Sequence, residues 1–267
     1  MLLRVRVTLP DRPGALGQVA RTLGVAGADI VQVVVLERLG GRAVDDFTVV
    51  WPGASRVERL LAGLGAIPGV QVEGVWKAIG APVSGGHDAE LLAQIAANPA
   101  DGLATLVDAL PGLLAADWAA AVVVPPDWAA RYGAASRPLP HEPALPHEPP
   151  QPYQPALPHE PVLPLGGEPL TACASWRAPT ELRLPEVTPL RARPMTGPDG
   201  TRYAVAPFGR AGLVLVLART AEDEELPGAA FHVTEVDRVA QLVRAAAVIL
   251  GDRLDSAEAP PVVIERS

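Results

Sequence analysis

The sequence predicts an α+β protein of two domains, because three kinds of pattern follow one another along its 267 residues. Residues 1–80 switch between periods of two and of three to four in the order βαββαβ. Residues 137–167 carry a proline-rich repeat, which favours neither helix nor sheet. The segments on both sides of it, within residues 87–254, predict one further α+β domain that the repeat interrupts as an insertion. Residues 255–267 are expected to form a flexible tail.

The first strand and the first helix are separated by the charged corner DRPGAL. In LLRVRVTL, apolar residues alternate with Arg4, Arg6 and Thr8, which predicts a strand with one buried face. From Leu16 onward the apolar residues recur at intervals of three and four, which is typical of an amphipathic helix. Pro13 fits the first turn of this helix, where a missing N–H costs nothing.

Four more elements complete the first eighty residues. ADIVQVVVLER and AVDDFTVVW predict two strands around the turn LGGR, and residues 57–64 carry the apolar spacing of a second helix. VQVEGVWKAI predicts a fourth strand. Asp45 and Asp46 are neighbours on a strand and point to opposite faces, so they do not form an acid pair, and we expect Asp45 at the end of the strand, in solvent. The order βαββαβ is that of a ferredoxin-like, split-βαβ domain.

DRPGAL, followed by a short helix and by GADI at the start of strand two, resembles the ACT domain, a regulatory module that binds amino acids in many metabolic enzymes and sensors. The resemblance covers residues 1 to about 80. It implies a ligand under the loop between strand one and helix one, often at an interface between two ACT domains. It also implies a polar residue, frequently Asn, that opens strand two and contacts the ligand's amino group; this sequence has Asp29 there.

The predicted ligand-binding residues lie in the corner and at the start of strand two: Asp11, Arg12, Gly14, Ala15, Leu16 and Asp29. The backbone amides from Gly14 to Leu16 are expected to receive a carboxylate, because a helix N-terminus carries unpaired N–H groups and partial positive charge. Arg12 can pair with that carboxylate, and Asp11 with Asp29 can hold an ammonium group. The alternative is a helix start that binds nothing, in which Asp11 is the cap.

Strand two predicts a second contact surface. If Val31, Val33 and Val35 face the helices, the opposite face carries three apolar side chains: Ile30, Val34 and Leu36. An apolar outer face indicates a partner surface. Either a second copy of the chain or the second domain can cover it. We expect a homodimer.

The insertion contains LPHEPA, LPHEPP, QPYQPA and LPHEPV in residues 139–162. Each of His141, His147 and His159 precedes a glutamate, which suggests a metal site. Polyproline II rises about 3.1 Å per residue, so histidines six residues apart lie roughly 19 Å apart. One extended chain cannot place them around a zinc ion. The repeat is therefore predicted to be a semi-rigid spacer without metal.

The flanking segments supply the second domain. The helical segment HDAELLAQIA, a second helix started by Asn98 and Pro99, and the strand WAAAVVV precede the repeat. TACASW, a hairpin of LRARPM with TRYAVAPF, GLVLVLAR and a long helix from Thr234 follow it. This order resembles a GAF-like domain. The sequence does not indicate which ligand, if any, this domain binds. Cys173 is expected to be a small buried residue on a strand.

Composition and motifs limit the function. The net charge of -8, without a basic stripe, argues against nucleic-acid binding, and the single cysteine fits a reducing compartment. No apolar run reaches the length of a membrane span, so none is expected, and the arginines within the apolar run at the N-terminus argue against a signal peptide. A cytoplasmic protein is predicted. No catalytic motif and no cofactor motif is found. The prediction is a non-enzymatic regulatory protein that senses an amino acid. The alternatives are a dimerisation module with an empty site and an enzyme whose active site lies in the second domain.

Overall fold

The structure is a computed structural model that describes residues 1–52, 57–78, 86–125, 169–209, 212–220 and 228–258. The repeat and residues 259–267 of the predicted tail lie outside the described residues. Within the described ranges the chain is α+β, with two antiparallel sheets and helices packed on them. No helix among the described residues is both long and apolar enough to cross a bilayer.

The N-terminal half contains one four-stranded sheet and two helices. Its elements are β1 (Leu2–Pro10), α1 (Ala15–Val25), β2 (Asp29–Leu39), β3 (Arg42–Val50), α2 (Val57–Gly65) and β4 (Gln71–Lys77). The strand order is β2-β3-β1-β4, so β2 lies at an edge of the sheet. The predicted sequence of strands and helices agrees with these elements.

The alternation of apolar and polar residues along the strands determines which face of this sheet is buried against the helices. Val5 and Val7 of β1 join Phe47 of β3 in one core with Val19 of α1 and Leu60 of α2. The side chains between them, on β1 and β3, point to the opposite face, because successive residues of a strand alternate. That opposite face, which we call the outer face, therefore carries the charged residues of β1.

Two bulges in β2 change which of its residues share a face. The register with β3 shifts between Ile30 and Gln32 and again between Val35 and Glu37. Ile30 pairs with Val49 and packs against the core on the helix side, whereas Val34 pairs with Asp46 on the outer face. The prediction that Ile30 and Val34 share the outer face is therefore wrong.

The C-terminal half contains a five-stranded sheet with three helices. Its elements are α3 (His87–Ala97), α4 (Gly102–Leu114), β5 (Trp118–Val123), β6 (Leu170–Ala174), β7 (Arg193–Thr196), β8 (Arg202–Pro207), β9 (Leu213–Arg219), α5 (Val233–Leu250) and a 3-10 turn (Gly251–Glu258). The strand order is β6-β5-β9-β8-β7. Small residues such as Ala119 and Ala121 face the three helices, and Trp118 with Tyr203 packs on the other face of the sheet.

Two helix starts differ from the sequence prediction. Asn98 closes α3 instead of opening α4, and its side chain donates to Asp101, the N-cap of α4, at 2.7 Å. The helix begins at Gly102, and α4 approaches α5 so closely there that a Cβ at this position would lie 2.5 Å from Leu250. The last helix begins at Val233, one residue before the predicted Thr234.

Candidate functional site

The corner between β1 and α1 is built around Gly14. Gly14 is the N-cap of α1 with φ of 87°, a left-handed conformation that glycine adopts without steric cost. No side chain in the described part of the chain caps this helix. Asp11 instead accepts two hydrogen bonds from Arg38 of β2, at 2.6 and 3.1 Å. The alternative in which Asp11 is the helix cap is therefore wrong.

The other predicted residues of the corner divide into buried and exposed ones. Ala15 is buried in the core below the corner, and its amide donates to the Arg12 carbonyl at 3.2 Å. Its N–H is therefore engaged within the corner. Arg12, Gly14 and Leu16 lie at the surface, where a ligand can reach them.

Asp29 lies at the opposite end of the sheet from the corner. It pairs with Val50 at one end of β3, whereas Pro10, next to the corner, pairs with Arg42 at the other end. At about 3.3 Å per residue, the two ends of β3 are roughly 26 Å apart. One copy of the chain therefore brings Arg38 to Asp11 but does not bring Asp29 there.

Asp45 is buried in the middle of β3, so the prediction of a solvated strand end is wrong. It pairs with Val7 of β1 and Val35 of β2, and only 3% of its surface is exposed. One carboxylate oxygen has no hydrogen-bond partner among the described residues. Burial, together with the neighbouring Asp46, raises the pKa of Asp45 above its ordinary value.

The strand β2 forms one edge of the first sheet, and the side of its backbone that points away from β3 is free to pair. β2 pairs with β3 and with no second strand among the described residues. Val31, Val33 and Val35 are exposed along it. An exposed edge of this kind is a template for a further strand.

Between the two halves lies a network of buried charges that the sequence reasoning missed. Arg6 of β1 donates from Nε and Nη2 to the two oxygens of Asp46 at 2.7 and 2.8 Å. It also donates to Glu235 of α5 at 2.8 Å and to the Ala230 carbonyl at 2.7 Å. This one guanidinium therefore joins both central strands of the first sheet to the start of α5.

Arg219, at the end of β9, occupies the other side of Glu235. It donates to Glu235 at 2.7 Å and to the carbonyls of Leu114 and Ala115 at 2.7 and 3.1 Å. Its guanidinium carbon lies 4.6 Å from the centre of the Trp76 ring. Glu235 thus bridges two buried arginines, one from each sheet.

The charges of this network determine the protonation state of Glu235. Burial alone would raise the pKa of this carboxyl, but Arg219 and Arg6 outweigh burial and lower it to about 2. Glu235 also accepts from the His232 amide at 2.8 Å, which forms a capping box at the start of α5. Glu235 is therefore ionised, and it holds both the helix start and the contact between the halves.

The sequence held only a local part of this signal. The alternation in β1 predicts that Arg6 lies on the same face of the strand as Arg4 and Thr8. TEVD indicates a capping box near Glu235. Arg6 and Glu235 are 229 positions apart, so neither pattern indicates that they meet. The fold alone brings them together.

The other candidates from the sequence are Cys173 and the histidines of the repeat. Cys173 lies half-buried on β6, and burial raises the pKa of its thiol, so it is a poor nucleophile. Across the described ranges no group of three His, Cys, Asp or Glu side chains is arranged to hold a metal ion. The histidines of the repeat lie outside those ranges.

Comparisons with known proteins add little to this geometry. No family model and no curated protein matches the chain. A formyltetrahydrofolate deformylase from Pseudomonas putida KT2440 is similar over 37% of this chain and 39% of its own, with 17% identity and a TM-score of 0.27. An unknown protein from Galdieria sulphuraria is similar over 94% of this chain and 93% of its own, with 12% identity and a TM-score of 0.27.

Proposed function

We propose that this chain is a regulatory protein that binds an amino acid at the corner of residues 11–16, in a site that a second copy of the chain completes. The strand order β2-β3-β1-β4, with two helices on one face, supports an ACT-like, ferredoxin-like N-terminal half. The order of helices and strands in the C-terminal half supports a GAF-like unit. The N-terminal half is the ligand-binding part of this proposal.

The observation that carries the proposal is the position of β2. It is an edge strand with exposed valines, and Asp11 and Asp29 lie beside its two opposite ends. If two copies pair antiparallel along β2 about a twofold axis near Val34, residue 29 of one copy lies opposite residue 39 of the other. Asp29 then lies beside the corner of the second copy. Antiparallel pairing therefore assembles the two acids that a single copy keeps apart.

An α-amino acid matches the chemistry of such a composite site. The exposed Arg12 and the left-handed Gly14, which has no Cβ, suit the ligand's carboxylate, because the backbone can approach it closely. Asp11 and Asp29 suit its ammonium group. A deaminated analogue leaves Asp29 without a cation, whereas Asp11 keeps its bonds from Arg38, so we expect the analogue to bind far more weakly.

The buried charge network gives such a site a route to the C-terminal half. β3 is the neighbour of β2, and its Asp46 bonds to Arg6, which bonds to Glu235 of α5. A change in the twist of β2 and β3 on ligand binding would act on this network. We propose that the network transmits the regulatory signal.

Complementation between two defective variants tests the composite site. Asp11→Ala and Asp29→Ala are prepared separately and then mixed under conditions that exchange subunits, and amino-acid binding is measured by calorimetric titration. Each variant alone should bind weakly, because every site lacks one acid. In the mixture, half of the dimers contain both variants and have one intact site, so about a quarter of all sites should regain wild-type affinity.

The outcomes separate the candidate functions. Light scattering that finds a monomer at tens of micromolar contradicts the composite site. A dimer that binds none of the twenty amino acids favours the dimerisation module. Binding of an amino acid that neither variant weakens shows that the ligand lies elsewhere, including a site in the C-terminal half.

A further inference from the structure

A cavity of about 760 Å³ lies between the outer face of the first sheet and the helices of the C-terminal half. Arg4, Gln32 and Thr48 line it from the sheet, and His87, Leu91 and Leu113 line it from α3 and α4. Its volume is within the usual range of small-molecule sites, about 300–1,000 Å³. It is separate from the corner of residues 11–16, so a ligand here does not depend on the function proposed above.

The buried charges beside this cavity do not balance. Among the described residues, three arginines, Arg4, Arg6 and Arg219, face two buried carboxylates, those of Asp46 and Glu235. Both carboxylates are bonded at 2.7–2.8 Å to Arg6 or Arg219. The excess is therefore one positive charge, and it belongs to Arg4.

Arg4 is the cation of this group with the poorest partner. Its nearest carboxylate oxygen, on Asp46, lies 3.9 Å away, beyond hydrogen-bond distance. Only 13% of its side chain is exposed, and its Nε has no hydrogen-bond partner among the described residues. Burial lowers the pKa of Arg4, although Asp46 acts in the opposite direction. A buried guanidinium without a bonded anion is costly, and an anionic ligand removes that cost.

Of the other charged side chains of the wall, Arg238 is paired with an acid, whereas the exposed Glu90 is bonded only to a neutral amide and keeps its negative charge. Arg238 donates to both oxygens of Asp88 at 2.6 and 2.9 Å, and Glu90 accepts from Gln94 at 3.1 Å. The Nδ1 atom of His87 is buried and has no partner among the described residues. It adds a second polar contact for a ligand, next to the apolar surface of Leu91 and Leu113.

We infer that this cavity binds a small organic acid, whose carboxylate bonds to Arg4 and whose apolar body lies against α3 and α4. The planar guanidinium matches a carboxylate in geometry and charge. The apolar side chains of the helices match a hydrocarbon body better than a highly charged one. The ligand neutralises the excess charge between the halves.

The test uses the full chain with three probes: hexanoate, its neutral amide hexanamide, and inorganic phosphate. Affinities are measured by calorimetry, and the Nε–H resonance of Arg4 is followed by ¹⁵N NMR in the wild-type protein. We expect hexanoate to bind, to move the Arg4 resonance, and to bind about 10-fold to 100-fold more tightly than hexanamide.

Arg4→Met should reduce hexanoate affinity by a similar factor. Arg21→Met, which removes an exposed arginine from α1, should leave it unchanged. Because the ligand-free protein carries an excess buried charge, Arg4→Met should also raise Tm by about 2–4 °C.

Four results would overturn the inference: no binding of hexanoate, equal binding of hexanoate and hexanamide, an unmoved Arg4 resonance at saturation, or a marked fall of Tm in Arg4→Met. Phosphate binding more tightly than hexanoate would overturn the class of ligand, because it would show a site for a compact polyanion. The NMR titration needs no variant, so it tests the site even if a substitution impairs folding.

Discussion

Asp45 and Asp46 are neighbours on β3, and their carboxylates face opposite sides of the sheet. Asp46 is bonded to Arg6 on the outer face, whereas Asp45 lies between valines on the helix side, with one oxygen unbonded. The pKa of Asp45 is raised, so folding favours its protonated form. Its ionised form therefore destabilises the fold at pH values above that raised pKa, and the cost disappears as the pH falls below the pKa of the unfolded chain.

Asp45→Asn should therefore raise the free energy of unfolding at pH 7 by about 1–2 kcal/mol, because it removes an unpaired buried charge. The gain should shrink towards pH 4, where the wild-type carboxyl takes up its proton. Urea unfolding at both pH values measures this difference. Asp108→Asn, on the exposed side of α4, is the control and should change stability little. A gain that is the same at both pH values would contradict the assignment.

Substitutions at Gly14 and Gly17 distinguish the effect of backbone conformation from the effect of space for a side chain. A Cβ at either position meets no atom within 4 Å, but only Gly14 has a positive φ, of 87°. Gly14→Ala should lower the free energy of unfolding by about 1–2 kcal/mol, because alanine is strained in this conformation. Gly17→Ala, inside α1, should raise it by roughly 0.5–1 kcal/mol. Thermal or urea unfolding of the two variants checks the pair; equal effects would show that the corner tolerates side chains.

At the scale of elements, the start of α5 joins helix capping to the contact between the halves. Glu235 closes the capping box with His232 and bridges Arg6 and Arg219. Its pKa in the folded chain, about 2, lies below the ordinary value. Its contribution to stability is therefore complete above the unfolded pKa of about 4.3 and is lost as the pH falls towards 2.

Glu235→Gln should lower the free energy of unfolding at pH 7 by about 3–5 kcal/mol, because it leaves two buried guanidinium groups with one carboxylate fewer. Glu58→Gln is the matched control: Glu58 is in the first turn of α2 and exposed, so its loss should cost at most about 1 kcal/mol. Urea unfolding at pH 7 measures both variants. A cost for Glu235→Gln as small as that of the control would mean that the bridge contributes nothing to stability.

Local periodicity predicted most strands and helices, and it failed where a contact between residues far apart in the sequence determines the local structure. The bulges of β2 arise in its pairing with β3, and no feature of ADIVQVVVLER shows them. The need for a glycine at position 102 follows from the approach of Leu250, which is 148 positions away in the sequence. The same limit applies to the site: DRPGAL indicated a glycine corner, but Arg38 at Asp11 and Glu235 at Arg6 follow from the fold.

At the scale of the whole molecule, the C-terminal half of the same chain lies against the outer face of the first sheet. The sequence left open whether a second copy or the second domain lies against strand two. α5 contacts β2 there, and the Nε2 of His232 lies 3.1 Å from a carboxylate oxygen of Glu37. The outer face is thus covered within the chain, and the homodimer that we propose uses the edge of β2 instead. Burial of a face and exposure of an edge are properties of the packed chain, which no single segment encodes.

The last prediction concerns the insertion, which departs from β5 and returns in β6. These strands are antiparallel neighbours, and Val123 pairs with Leu170, so the chain leaves and re-enters the sheet at adjacent positions. A short connection can span such a gap, and each doubling of loop length costs only about 0.6 kcal/mol. Replacing residues 139–162 by a short Gly/Ser connection should therefore leave Tm nearly unchanged.

Val122→Asp, inside β5 and buried, is the control that should lower Tm strongly, because it places an unpaired charge in the sheet core. Zinc added to the wild-type protein should not change Tm, since an extended repeat cannot gather its histidines around one ion. Loss of soluble folded protein on the replacement would show that the repeat packs into the fold. A rise of Tm with zinc, absent in the shortened chain, would show that the repeat is not extended and that its histidines form a metal site.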